Sequence, residues 1–123
     1  MNLFYIIFAF LLQYNSSNFT FKNVYNLPSN DLRGISYFLQ SEYDSFKKKI
    51  KFKLNFKTEV IFCSSLDDFI NKTSTSRKIG AIYKNKKIFL QPIEILKRKG
   101  ILYNVLKHEI IHLIFDCVNN PNI

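Results

Sequence analysis

Apolar residues follow two different spacings along this chain, and the spacings predict helices and strands. Steps of three and four residues are typical of a helix with one buried face, whereas alternation over a short aromatic or β-branched run is typical of a strand. The predicted strands are 19–25, 58–63, 79–83 and 87–91. The predicted helices are 32–50, 66–70 and 101–117. The last helix is apolar on nearly every side, which predicts that it is buried.

Cap and turn residues separate these elements. One of the residues 29–31 would cap the first helix, and Ser65 followed by Asp68 resembles a capping box at the second. Asn85 can take the left-handed conformation that a hairpin turn between 79–83 and 87–91 requires. The order strand, helix, strand, helix, hairpin, helix predicts one α+β domain. Residues 51–56, before the second strand, have a pattern that fits either a strand or a loop, and residues 92–96 fit a helical turn.

The chain begins with an unbroken apolar run of ten residues, LFYIIFAFLL at 3–12, followed by a polar segment. Such a run is too short for a helix that spans a bilayer, but it suits the hydrophobic region of a signal peptide. We therefore expect 1–17 to be a signal peptide or membrane anchor and 18–123 to be the domain. The protein would then be exported or membrane-anchored, with membrane association through its N-terminus. The alternative is that the run is a buried first strand.

The charge of the chain changes this picture little. Lys and Arg total 18 against 9 acidic residues, a net charge of +9, which favours contact with nucleic acid, acidic lipid or acidic glycan. Lys, Asn, Ile and Phe are enriched together, however, as they are in proteins from AT-rich genomes, so nucleic acid is not the predicted partner. Cys63 and Cys117 form no C-x-x-C motif, and they fit either one disulfide or two reduced, buried thiols.

The candidate chemistry lies in the last predicted helix, where His108-Glu109-Ile110-Ile111-His112 forms an H-E-x-x-H motif. Residues four apart lie on one helix face, so His108 and His112 can bind one Zn²⁺ as neutral imidazoles. Zn²⁺ lowers the pKa of a bound water, and Glu109 is placed to take its proton as the general base.

The same pattern has a plain structural alternative, two ordinary histidines on a core helix. Polar side chains inside an apolar helix carry a cost unless they are paired or bind metal, which favours the metal site. Asp116 lies one turn beyond His112, but His108 to Asp116 spans about 12 Å of helix rise, too far for one ion to contact all three residues. We expect Asp116 to accept a hydrogen bond from a ligating histidine or to solvate the helix end.

The segments 88–92, 97–100 and 106–112 together resemble small bacterial proteins of the peptidase MA-like group, which are gluzincin-type zincins. The resemblance covers 32–116, and the H-E-x-x-H motif is its specific part. It implies a small zincin-like domain with a short mixed sheet, a hairpin edge strand and a C-terminal active-site helix. It also implies a zinc metallopeptidase that acts on a peptide or protein substrate, with 87–91 as the edge along which a peptide lies as an added strand.

A third zinc ligand, a glutamate on a later helix, is part of what the resemblance implies. The tail 113–123 contains no glutamate, and Phe115 and Val118 occupy the positions where a metzincin needs Gly and His. Three expectations follow. In the first, the chain is shortened relative to its relatives. In the second, the site is completed by Asp116, by an upstream acid such as Glu59 or Glu94, or by a partner subunit. In the third, the fold persists with weak metal binding and no activity.

Two other functions are therefore kept beside the peptidase. The first is a non-catalytic zincin-like domain that serves as an interaction module. The second is a basic domain that binds an anionic surface, in which case the H-E-x-x-H motif is incidental and binding falls steeply with salt.

Overall fold

The computed structural model describes residues 13–25, 27–52 and 56–120, and within them the chain forms five strands and four helices. The strands are β1 (Gln13–Asn15), β2 (Phe19–Lys22), β3 (Thr58–Phe62), β4 (Ala81–Lys84) and β5 (Lys87–Leu90). The helices are α1 (Ser29–Lys49), α2 (Leu66–Thr73), α3 (Ile93–Arg98) and α4 (Leu102–Asn119). The predicted α+β class and element order are confirmed. The prediction missed β1 and gave α3 only as a helical turn.

All five strands belong to one mixed sheet with the order β1-β2-β3-β5-β4. β2, β3 and β5 run parallel to one another, while β1 and β4 pair antiparallel with their neighbours. The hairpin therefore supplies an edge strand, but that strand is β4. The expectation that 87–91 forms the edge was wrong, because β5 is hydrogen-bonded on both sides.

The main core lies between one face of this sheet and the helices α1 and α4. Strand register aligns Phe21, Val60 and Ile88 in one row across the sheet, and each of them is fully buried. Leu39 of α1 and Leu106 of α4 belong to the same buried cluster. Alternation along the strands thus directs the bulky residues toward the two long helices.

The opposite face of the sheet is more polar. Glu59 accepts from Lys22 at 3.3 Å and from Lys87 at 3.4 Å, which joins three neighbouring strands by ion pairs. Burial opposes ionisation of Glu59, but the two lysines hold the pKa of its carboxyl below its usual value. Helix α2 covers part of this face, where the Lys84 ammonium reaches the Thr73 carbonyl at 3.4 Å.

Local chemistry explains most of the element boundaries. The Ser65 hydroxyl accepts from the Asp68 N–H at 3.0 Å, which confirms the predicted cap of α2. Asn85 and Lys86 both have positive φ, 53° and 66°, as a two-residue hairpin turn requires. The cap predicted among 29–31 was wrong, since α1 begins at Ser29 after Pro28 without a side-chain cap.

Gly34 shows why a weak helix former stands in α1. A β-carbon at this position would lie 2.9 Å from the Tyr103 hydroxyl of α4, so the glycine allows the two helices to approach closely.

Cys63 and Cys117 are buried free thiols, which excludes the disulfide, and burial raises the pKa of each to about 11.

The predicted leader lies mostly on residues 1–12, and part of the predicted strand or loop lies on 53–55, outside the described residues. Within the described ranges, no helix combines the length and the apolar character that a bilayer crossing requires.

Candidate metal centre

Helix α4 has two unlike faces. Its inner face packs into the core, and Leu106, Ile110 and Leu113 are fully buried there. His108 and His112 are exposed on the outer face, with the His108 side chain at 69%. The prediction that the helix is buried therefore holds for one face only, and the inference that both histidines lie inside the protein was wrong.

The two imidazoles converge as the four-residue spacing predicted. Their Nε2 atoms are 3.0 Å apart. Two imidazoles on a tetrahedral zinc ion, each with a Zn–N distance of 2.0–2.1 Å, place their nitrogens about 3.3 Å apart. The pair therefore fits a metal ion after a shift of a few tenths of an ångström. Without metal, the same distance suits a hydrogen bond between the two rings, with one of them carrying the Nε2 proton.

Glu109 lies beside the histidines but on the buried side of the helix, where its side chain is only 6% exposed. Its Oε2 atom accepts the Tyr83 backbone N–H at 2.6 Å, and its Oε1 atom is 3.9 Å from His108 Nε2. One carboxylate oxygen is thus anchored to strand β4 while the other faces the imidazoles. Burial raises the pKa of Glu109, against the opposing effects of the Tyr83 N–H and the two histidines.

His108, Glu109 and His112 form a group that can hold a metal ion, since one ligand atom from each lies within 4.8 Å of the others. Among the residues that the structure describes, no further His, Cys, Asp or Glu joins this group. Glu59 lies on the opposite sheet face with its lysines, and Glu94 is exposed beside Lys97 at 3.9 Å. The expectation that an upstream acid completes the site was wrong for both residues.

Asp116 is not a ligand either, and its expected hydrogen bond to a histidine is absent among the described contacts. Its carboxylate instead accepts from the Tyr83 hydroxyl at 2.6 Å and from the Asn120 amide at 2.9 Å. Burial, followed by the carboxylate of Asp116, raises the pKa of the Tyr83 hydroxyl strongly, so this group remains a proton donor. Asp116 therefore links helix α4 to strand β4 and takes no part in the candidate metal centre.

Tyr83 is the site residue that sequence reasoning missed. It contacts α4 twice, through its backbone N–H and through its hydroxyl. The hairpin contained a signal for the first contact. A two-residue turn at Asn85–Lys86 makes Lys84 and Lys87 a hydrogen-bonded pair, so the N–H of Tyr83 must point away from β5. The hydrogen bond from the Gln91 N–H to the Gly80 carbonyl agrees with this alternation, since Gly80 precedes Lys84 by four residues and also bonds toward β5.

A cleft of about 630 Å³ opens between β4 and α4, directly over this group. Most of its wall is apolar, and its convergent polar groups are the two imidazoles and the Glu109 carboxylate, an arrangement typical of a binding site. Gly80 allows the side chains of Leu96 and Val105 to pack closely against the backbone at the cleft, because a β-carbon there would lie 3.1 Å from atoms of both. The lining residues are Ile79, Gly80, Ala81, Ile82, Tyr83, Ile101, Asn104, Val105, His108, Glu109 and His112.

Comparisons of the chain with protein-family models, with curated proteins and with solved structures found no match. The case for a function therefore depends on the geometry of this centre.

Proposed function

We propose that this protein is a zinc-dependent hydrolase of peptide bonds, a zincin-like metallopeptidase. One observation carries the proposal. The His108 and His112 Nε2 atoms converge to 3.0 Å at the mouth of a cleft, and the carboxylate of Glu109 faces them from its buried side. Two imidazoles and an adjacent carboxylate are among the groups that metal-assisted hydrolysis needs.

In this proposal His108 and His112 hold Zn²⁺, which would polarise the scissile carbonyl and make water a stronger nucleophile at neutral pH. Glu109 is the general base. Its Oε1 atom, on the side of the imidazoles, takes the proton of the attacking water and later gives it to the departing amine. The Tyr83 N–H holds the other oxygen at 2.6 Å, so the carboxylate keeps one orientation while it exchanges the proton.

The proposed substrate is an extended peptide that lies in the cleft along β4. Ala81 lies two residues before Tyr83 in the same strand, so its backbone N–H and carbonyl also point away from β5. They can pair with a peptide backbone as an added strand would. The N–H of Tyr83 is already bound to Glu109, so pairing along this edge would stop at the catalytic base.

A non-catalytic metal-binding domain is the second candidate, and one observation favours it. Within the described residues the group consists of two imidazoles and Glu109, which the peptidase uses as its base, whereas catalytic zinc sites have three protein ligands beside the base. A partner subunit would supply the third ligand in the peptidase, and it is not needed in the binding module.

Cleavage of a fluorogenic peptide library by protein purified with added Zn²⁺ tests the proposal. A matched Glu109→Gln variant keeps the shape and the acceptor for Tyr83 but cannot act as a base. We expect cleavage by the native chain and a loss of at least about 100-fold in the variant. Equal cleavage by both proteins would show that Glu109 is not the base. Zinc binding without cleavage by either would favour the non-catalytic domain.

A further inference from the structure

The outer face of α4 continues past the histidines as an apolar stripe. Phe115 follows His112 by three residues on the same side of the helix and is 60% exposed, and Val118 is 40% exposed. Ile111, between the two histidines, is half-exposed. These residues, with His108 and His112, are called the outer stripe.

The outer stripe contains no lysine, arginine or carboxylate, although the protein is basic. The chain carries a net charge of +9, yet α4 contains one lysine, Lys107, against two acids, Glu109 and Asp116. Tyr83 binds both acids on the side of β4, Glu109 through its backbone N–H and Asp116 through its hydroxyl, so neither belongs to the outer stripe. Two copies of this chain can therefore meet along the outer stripe without bringing lysine or arginine side chains of the stripe together.

The coordination chemistry leaves room for such a copy. A tetrahedral zinc ion that binds His108 and His112 has two positions open, and two imidazoles of a second chain would fill both. The exposure of the His108 side chain, 69%, allows that approach. Because a two-fold axis makes each chain use the same surface, the outer stripe would pack against itself.

From the exposure, low charge and incomplete coordination of the outer stripe, we propose that it is a zinc-bridged homodimer interface. His108 and His112 of both copies share one ion, and Phe115 packs beside it. The outer stripe is a single helix face, and its area is smaller than the area of about 800 Å² that each partner buries in a stable interface. The dimer therefore requires the metal. This assembly goes beyond the proposed hydrolase. It uses the same ligands but excludes water from the ion, and it is the inactive form.

The stoichiometry gives the proposal a distinctive test. Chelator-stripped full-length protein is titrated with Zn²⁺, and its mass is followed by light scattering after size exclusion, with bound zinc measured in each peak. We expect twice the 14.6 kDa chain mass to be most abundant at half an equivalent of zinc per chain. Excess zinc should return the protein to monomers, because each chain then binds its own ion.

Two variants assign the interface. His112→Ala should remove the dimer at every zinc level. Phe115→Ser should weaken dimerisation at least about tenfold, while Tyr25→Ser, at a comparably exposed aromatic residue (54%) beyond β2, should not change it. Serine is preferred to aspartate or glutamate as the polar replacement, because a carboxylate beside the histidines would itself bind zinc.

A protein that binds zinc through its histidines and stays monomeric at half an equivalent would overturn the dimer and leave the hydrolase standing. A dimer that persists in His112→Ala would overturn it too. The absence of zinc binding altogether would remove both proposals.

Discussion

The two faces of α4 show how one helix divides its residues between folding and chemistry. Leu106, Ile110 and Leu113 of the inner face are completely buried between α1 and the sheet. On the outer face, His108 and His112 are exposed at the cleft. The proposed metal ligands must be accessible to an ion, whereas core residues must exclude water. The helical repeat places these two kinds of residue on opposite faces of α4.

Glu109 stands at the boundary between these faces. It is buried like the inner residues, but its carboxylate faces the histidines and is fixed by the backbone of β4. Its position is costly for a charged group, and the raised pKa of Glu109 reflects that cost. The comparison therefore predicts that substitutions on the inner face change stability and those on the outer face change metal binding.

The largest expected effect is on the inner face. Ile110→Ala removes a fully buried side chain and should lower the free energy of unfolding by about 2–5 kcal/mol, measured by urea denaturation. Phe115→Ala, five residues later on the outer face, should change it by less than about 0.5 kcal/mol. Equal losses for the two variants would mean that α4 has no free face.

A smaller effect is expected where β4 joins α4. Tyr83→Phe removes the 2.6 Å hydrogen bond to Asp116 but keeps the backbone bond to Glu109. We expect a loss of about 1–2 kcal/mol in the free energy of unfolding, because a half-buried carboxylate loses its neutral donor. Tyr37→Phe is the matched control, since Tyr37 is 77% exposed and should show no change. If Tyr83→Phe left the free energy of unfolding unchanged, the hydrogen bond to Asp116 would not stabilise the packing of α4 on β4.

The smallest effect concerns the sheet face turned away from α4. Glu59→Gln should lower the free energy of unfolding by about 0.5 kcal/mol at pH 7, because its ion pairs are partly exposed. The folded-state pKa of Glu59 lies below its usual value, so this contribution is present above the unfolded pKa and is lost as the pH falls through the folded pKa. The difference between the two proteins should therefore disappear in acid, and zinc binding should not change. A difference that persists in acid would assign the loss to packing instead of charge.

The sequence predicted the fold class and the order of the main elements because both depend on local signals. Alternation indicated β3, steps of three and four residues indicated α1, and Asn85 indicated the turn. The convergence of His108 and His112 was predictable for the same reason, since it needs only the helical repeat. None of these predictions required knowledge of which elements meet.

The errors concern features that only tertiary packing decides. An apolar helix reveals how much it can bury, not which of its faces a neighbour covers, so the exposure of His108 was missed. The edge strand depends on whether β4 or β5 pairs with β3, and either order fits the same alternation. Tyr83 and Asp116 are 33 residues apart, and their bond follows from the packing of β4 on α4.

The most direct test of the central claim is a zinc titration of chelator-stripped protein by calorimetry, followed to excess zinc. At saturation we expect one zinc ion per chain. Glu109→Gln should retain this binding, and either His108→Ala or His112→Ala should weaken it at least about 100-fold. The outer-face variants should keep the native free energy of unfolding within about 0.5 kcal/mol. Native zinc affinity in both histidine variants would contradict the proposed site, because the ion would then lie elsewhere.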